Sequence, residues 1–288
     1  MPMQAHEEQA VLRRDTQVTL TGFATDTGSQ MMSNKKMPAL FLGHGSPMNA
    51  IEESAFSKAW AATGKALIRP RAILCVSAHW ETNETSVTAM ERPKTIHDFG
   101  GFPKELYEMQ YPAPGSPGLA LLVQKTVKKT KVLSDTTWGL DHGTWSVLCR
   151  MFPDADIPVV QLSLDRTKDA SFHLELGKEL RLLRDMGILI VGSGNIVHNL
   201  GMMAWQDRAY DWAAAFDETV RQLILSRDYE SLIHYGKLGK NALFSIPTNE
   251  HYLPLLYILA LQDREEPVRF FAEGVTLGSI SMRSLQIG

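Results

Sequence analysis

Imidazole is the side chain that both ligates divalent metals and moves protons near neutral pH. This chain places it repeatedly just after apolar runs. His44 follows Met37-Pro38-Ala39-Leu40-Phe41-Leu42 and sits between Gly43 and Gly45. His79 follows the apolar residues 71–77. His198 comes after a third run, 187–191, through Gly192-Ser193-Gly194-Asn195. A fourth run, 241–246, leads through Pro247, Thr248, Asn249 and Glu250 to His251. If each run is a strand and the strands share one polarity, these imidazoles converge in the crevice at the carboxyl ends of the strands, where open α/β sheets bind ligands. Nitrogen donors of this kind suit zinc, iron or copper. Gly43 and Gly45 are expected to let the backbone turn sharply and approach a ligand closely.

His142 lies in Trp138-Gly139-Leu140-Asp141-His142-Gly143-Thr144, ahead of an apolar helix-like run. At a helix N-terminus the dipole disfavours its charged form, which suits a neutral hydrogen-bond partner and equally a structural residue of the cap. His97 is followed by Asp98, which either orients it or is solvated with it. His6, in a polar start, and His173 and His234, in polar helical stretches, are expected to be ordinary surface or core residues. No His-Glu-x-x-His motif is present. Ser46 lacks a nucleophile elbow, and Gly192-Ser193-Gly194 lacks the third glycine and the lysine of a phosphate loop.

The elements that must position these residues alternate between strand and helix. Residues 1–36 are polar and without periodicity; a disordered extension or a mis-assigned start is expected, with Met31, Met32 or Met37 as the true first residue. Residues 37–288 are expected to form a single α/β domain, a mixed central β-sheet flanked by helices. After His44 a helix capped by Asn49 is expected to about Thr63, then strands over 71–77 and 81–90. Residues 91–118 are Pro/Gly-rich but carry Phe99, Phe102, Tyr107 and Tyr111. So long an excursion rich in aromatics reads as an ordered loop walling a pocket. Helices are expected from Pro117, from Asp141 or Thr144, over 169–186 ending at Gly187, over 211–227, near 229–235 and over 251–261. A strand is expected over 158–164, and hairpin-like strands over 268–271 and 274–287 close the chain.

Composition excludes several classes. A net charge of −3 without a long basic run argues against a nucleic-acid face. The longest apolar run near the end, 252–261, is too short to span a bilayer. No basic-then-apolar signal peptide opens the sequence. The two cysteines, Cys75 and Cys149, fall in apolar segments and read as free thiols of a reducing cytoplasm.

Seven blocks stand in order along the chain: Leu42-Gly43-His44-Gly45-Ser46-Pro47-Met48, Ser77-Ala78-His79-Trp80, Ile96-His97-Asp98-Phe99-Gly100-Gly101-Phe102-Pro103, Tyr111-Pro112-Ala113-Pro114-Gly115, Asp141-His142-Gly143-Thr144-Trp145, Gly194-Asn195-Ile196-Val197-His198-Asn199-Leu200 and Glu250-His251-Tyr252-Leu253-Pro254-Leu255. Taken together, they resemble the 4,5-DOPA dioxygenase extradiol family within the class III extradiol ring-cleaving dioxygenases. The resemblance implies extradiol opening of a catechol ring with O2 at a non-haem divalent metal. Fe(II) is expected for that activity, and Zn(II) is plausible as the bound ion. His44, His79 and His251 match the ligand positions, the last standing where the wider class has a glutamate. Glu250 beside it keeps a carboxylate ligand in play. His198 matches the catalytic base, or in zinc-loaded members a fourth ligand. His142 matches a second active-site histidine near substrate and oxygen. The implied partners are a small catechol and O2, with no nucleic acid or membrane and an open oligomeric state. Two rivals use the same histidines: a zinc hydrolase with Glu250 or Asp141 as base, and a non-catalytic zinc-binding protein with four histidine ligands.

Overall fold

The stretches 37–42, 72–76 and 187–191 are continuously apolar rather than alternating, as expected for parallel strands covered on both faces. The computed structural model describes residues 36–205 and 208–288, so the expected extension lies, up to residue 35, outside the described residues. Residues Lys35–Gly288 form one compact unit. Its strands are β1 (Ala39–Gly43), β2 (Ala72–Thr82), β3 (Ser86–Thr88), β4 (Leu133–Asp135), β5 (Val159–Asp165), β6 (Ile188–Gly194), β7 (Val268–Phe271), β8 (Val275–Thr276), β9 (Ile280–Ser281) and β10 (Ser284–Ile287). Eight of them make a mixed sheet in the order β4-β3-β5-β2-β6-β1-β10-β7, and β8 pairs with β9 separately. The central four, β5, β2, β6 and β1, run parallel. β10 and β7 continue the sheet antiparallel on one side, and β3 pairs antiparallel with β5 on the other.

Register brings the carboxyl ends together. Gly43 of β1 lies opposite Gly194 of β6, and Ser77 of β2 lies opposite Ser193. Between Val76 and Glu81 the β2–β5 register shifts. This irregularity spans His79, and such bulges re-aim side chains at functional edges. His79 is therefore inside β2 rather than beyond its end.

Helices cover both faces. Leu40, Leu42, Ile73, Cys75, Leu189 and Val191 share a buried core with Trp145, Val147 and Leu148 of the helix His142–Met151. On the opposite face Gly192 meets Pro254 and Ile258 of the apolar helix Leu253–Ala260, where a side chain on the strand would collide with the helix backbone. Glycine at this position is what lets the helix lie so close. At the amino end of the sheet the buried guanidinium of Arg184 donates to the carbonyls of Met37, Leu261 and Ile287 and grips both oxygens of Glu266.

Several sequence expectations are corrected. Residues 241–246 are not a strand: Lys240–Ser245 is a short helix burying Ala242 and Ser245, three apart. The fourth parallel strand is β5, which carries no histidine. The segment 81–90 splits between the end of β2 and β3. Asn49 caps no helix; Ser46 caps a turn of 3₁₀ helix, Ser54 caps Ala55–Ala66, and the Asn49 amide donates to the His44 and Ser46 carbonyls. The helix expected over 169–186 breaks at Leu180 into Ala170–Glu179 and Arg181–Asp185. The last long apolar helix starts at Leu253, so His251 sits in the turn before it. Ser116, with Pro117 at the first helical position, begins Pro117–Thr126 as expected. No helix among the described residues is long and apolar enough to cross a membrane.

Candidate metal centre

The carboxyl end of the parallel strands gathers three imidazoles into a near-equilateral triangle. Ring centroids are 5.0 Å apart for His44–His79, 5.2 Å for His44–His251 and 4.9 Å for His79–His251. Different supports deliver them. The His44 amide, just past β1, donates to the Gly194 carbonyl at the end of β6. His79 stands on the irregular part of β2. The His251 carbonyl accepts from the Asn195 amide, which ties its turn to β6 at 2.8 Å.

Gly43 and Gly45 serve packing against the chain rather than a ligand. A side chain at Gly43 would strike the Met282 backbone, and one at Gly45, whose φ is +57°, would strike the Met282 sulfur. Gly143, at the start of the helix His142–Met151, leaves room for the His79 ring, since a methyl there would lie 2.8 Å from His79 Cδ2.

Hydrogen bonding fixes which nitrogen of each ring can bind a cation. The Ser193 hydroxyl donates its one hydrogen to the Gly143 carbonyl at 2.5 Å. Toward His44 Nδ1, 3.0 Å away, it can therefore only accept. Glu250 Oε1 lies 3.0 Å from Nδ1 of His251, and Asp98 Oδ2 lies 3.4 Å from Nδ1 of His79. The rings of His44 and His251 thus carry their proton on Nδ1 and a lone pair on Nε2, and the carboxylate behind His79 favours the same tautomer there, the arrangement that outer partners impose on histidine ligands. The Nε2 atoms of His44 and His79 are 3.1 Å apart, and Nε2 of His251 is buried without a hydrogen-bond partner. Facing lone pairs repel unless a proton or a cation lies between them.

Protons are disfavoured there. Burial, then the neighbouring imidazoles, hold His44 and His251 well below the usual histidine range, and burial with the adjacent His142 takes His79 down to about 3. A divalent ion fits instead, because two nitrogens each about 2.0–2.1 Å from one metal lie roughly 3–3.4 Å apart. The donor set of His44, His79 and His251 lies within 4.8 Å.

His198 and His142 flank this triangle. His198 stacks face to face on His251, with centroids 3.4 Å apart and planes at 8°. Its donors group with Glu250 and His251 rather than with the trio. Burial is the main cause that lowers its imidazole to about 4. His142 is the first residue of its helix, its ring 3.9 Å from that of His79, with Nδ1 3.0 Å from Asp98 Oδ1. Phe99, from the aromatic loop, meets the His142 ring edge-on at 5.5 Å, so the loop does reach the site.

Other expectations are met or corrected. Asp98 turns to His79 and His142 and not to its neighbour His97, whose Nε2 bonds the Met109 carbonyl at 3.0 Å. Asp141 is a buried helix cap accepting from Ser77, Thr144 and Gln161, which commits it as a structural acceptor. Glu250 binds the outer edge of His251. His173 is fully buried, with Nδ1 3.0 Å from the Tyr257 hydroxyl, whereas His234 is half-exposed beside Glu230. Cys75 and Cys149 are free thiols. His6 lies outside the described residues. Sequence reasoning missed Ser193, although alternation along 188–194 puts it on the same face as Leu189 and Val191.

Residues 38–280 match the family described as the catalytic LigB subunit of aromatic ring-opening dioxygenase. The chain is 50% identical over 264 residues to the 4,5-DOPA dioxygenase extradiol of Escherichia coli K12, covering 90% of this chain and 97% of that one. It is 41% identical over 222 residues to a protein of the same name from Beta vulgaris, covering 75% and 83%. A crystal structure of an uncharacterized protein from Escherichia coli K12 superimposes with a TM-score of 0.78 at 46% identity, covering 88% of this chain and all of that one. With the family match over residues 38–280 taking in every histidine of the cluster, the chain belongs to the family of the catalytic LigB subunit of aromatic ring-opening dioxygenases.

Proposed function

We propose that this protein opens the ring of a DOPA-like catechol by extradiol cleavage with O2, at a non-haem Fe(II) held by His44, His79 and His251. The observation that carries the reading is the set of inward Nε2 lone pairs, each fixed by an acceptor on the far side of its ring. The relatives' names supply the substrate class and the bond type. The bound metal supplies a Lewis acid that favours the catecholate and a redox centre that lets it react with O2.

The protein's residues do the rest. His198 is neutral at physiological pH and takes a hydroxyl proton from the catechol as general base. His142 has Nδ1 turned to Asp98, which leaves Nε2 as the ring atom available to substrate or oxygen. Phe99 and its neighbours Phe102 and Tyr107 form an apolar wall for an aromatic ring. Both atoms of O2 enter the product: the ring bond beside the diol breaks, leaving a carboxylate at one end and an aldehyde at the other.

Imidazole suits zinc as well as iron. The stacking of His198 on His251, apart from the trio, supports an open three-nitrogen centre over a closed tetrahedron of four histidines. Family membership argues against both the hydrolase and the metal-storage rivals. The test is anaerobic reconstitution with Fe(II), followed by DOPA, caffeate or protocatechuate with oxygen. One O2 consumed per catechol and a yellow ring-opened product are expected. Absence of uptake with every catechol, with zinc remaining tightly bound, would overturn the proposal.

A further inference from the structure

Of the cluster's imidazoles, Ser193 hydrogen-bonds His44 and Glu250 hydrogen-bonds His251, but Asp98 stands behind two rings. Its Oδ2 lies 3.4 Å from Nδ1 of His79. Its Oδ1 accepts the His142 backbone N–H at 2.9 Å and lies 3.0 Å from Nδ1 of His142, a charge contact whose angle is not that of a hydrogen bond. The Asp98 side chain is 18% exposed, and the residue belongs to neither of the elements that carry these histidines. It comes from the loop over 91–118, between Ile96, whose carbonyl accepts from the Trp145 indole, and Phe99, which packs on His142.

We infer that Asp98 is a shared positioning residue, one carboxylate that fixes the inward nitrogen of both the metal ligand His79 and the substrate-side His142, so that metal retention and catalysis both depend on the seating of this loop. The inference rests on the proposed metal centre. Its chemistry is that of acceptor count. An ionised carboxylate only accepts, and its two oxygens can take one Nδ1–H from each ring. Without an acceptor behind it, an imidazole can change tautomer or turn its ring, and Nε2 is then no longer committed inward. Asparagine has nearly the same shape but one oxygen and one NH2 group. It can satisfy one ring and must present a donor to the other.

The test combines Asp98→Asn, His142→Ala and the double variant, with thermal melting to confirm folding. Co(II) absorption titrations report metal affinity, and steady-state kinetics at saturating Fe(II) report turnover. D98N is expected to weaken Co(II) binding about 10–100-fold, the usual cost of losing an outer partner of a ligand. It should also lower kcat. In the H142A background, D98N should lower kcat no further while still weakening Co(II) binding. Histidine-selective 15N NMR of zinc-loaded wild-type protein needs no variant and should show Nδ1–H on both His79 and His142.

Wild-type Co(II) affinity in D98N, an Nε2 proton on either ring, or kcat losses that simply multiply in the double variant would each overturn the inference. Wild-type protein that binds no Co(II), or a His79→Ala variant that binds it as tightly as wild type, would overturn the metal centre itself and this inference with it. Loss of Co(II) in H79A but not in D98N would overturn the role of Asp98 alone.

Discussion

Gly194→Ala tests whether the backbone crossing beneath His251 sets the centre. Gly194 ends β6 directly under the turn that carries His251. A methyl on its Cα would lie 2.1 Å from the His251 carbonyl oxygen and 3.3 Å from Cγ of Pro254. Its φ is outside the left-handed region, so alanine meets a purely steric objection. Moving that oxygen from 2.1 Å to a tolerable 3.0 Å requires a displacement of at least 0.9 Å. The carbonyl is not free to yield, because it accepts from the Asn195 amide at 2.8 Å. Overpacking costs about 1–3 kcal/mol and the weakened hydrogen bond about 1 more. The effect on the metal is larger, since ligand distances tolerate only about ±0.2 Å. Even half of the displacement carried to His251 removes it as a third donor. Metal affinity should fall by at least about 100-fold, the upper end of what disturbing an outer partner costs. Zinc competition against a chromophoric chelator measures it, with Gly236→Ala as control, because nothing lies within 4 Å of a methyl there. A G194A protein with wild-type zinc affinity would refute the claim that this contact places His251.

Other perturbations separate the parts of the molecule. His198→Ala should keep most of the metal while losing turnover, and His79→Ala should lose the metal. A metal-free H198A protein would make His198 a ligand instead. Burial lowers the His173 imidazole from 6.5 to about 4, so the unfolded chain binds its proton at higher pH than the folded protein does. Its contribution is therefore complete above pH 6.5 and is lost as pH falls toward about 4, on the order of 3 kcal/mol in all. Denaturant melts of wild type and His173→Gln across this window should differ in slope; parallel curves would count against it. Arg184→Met leaves Glu266 and three carbonyls without their shared donor and should cost about 3–5 kcal/mol, as breaking a buried ion pair does. Because Arg184 is at the amino end of the sheet, urea melts should shift while metal affinity stays put; a loss of metal in step with stability would refute that separation.

The histidine cluster was legible because its signal is local. An apolar run followed by Gly, Ser or Asn and then His marks the carboxyl end of a buried strand, and the parallel register of β1, β2 and β6 then brings the rings together. Residues 241–246 defeated the same reasoning. A six-residue, mostly apolar run is too short to show a period, so strand and helix look alike. The ring of His251 arrives correctly from a turn, although the element before it is a helix. The partner of Asp98 was not legible, because adjacency offered only His97 or solvent, whereas the loop carries its carboxylate to a backbone amide 44 positions away. The sequence also favours the core side of the reading for His173. That residue lies three positions from both Ala170 and Leu176, which puts it on the buried face of its helix.

The placement of the carboxylates bears on how such a centre works. Three neutral imidazoles leave both positive charges of a divalent ion uncompensated by their own ligands. Glu250 supplies negative charge one hydrogen bond further out, against Nδ1 of His251, and Asp98 supplies it 3.4 Å behind Nδ1 of His79. An acceptor there draws the Nδ1 proton and raises the basicity of Nε2, so part of the carboxylate's influence reaches the ion through the ring. Less of it arrives than from a directly bound oxygen, which leaves the ion a stronger Lewis acid toward a catechol. His44 is backed only by the neutral Ser193 hydroxyl, so it should be the weakest donor of the three. Replacing Ser193 with alanine would leave that ring with no acceptor at all. The centre is graded accordingly: two ligands reinforced by charge and one by a hydroxyl, with the reinforced pair, His79 and His251, next to the two histidines proposed to handle substrate.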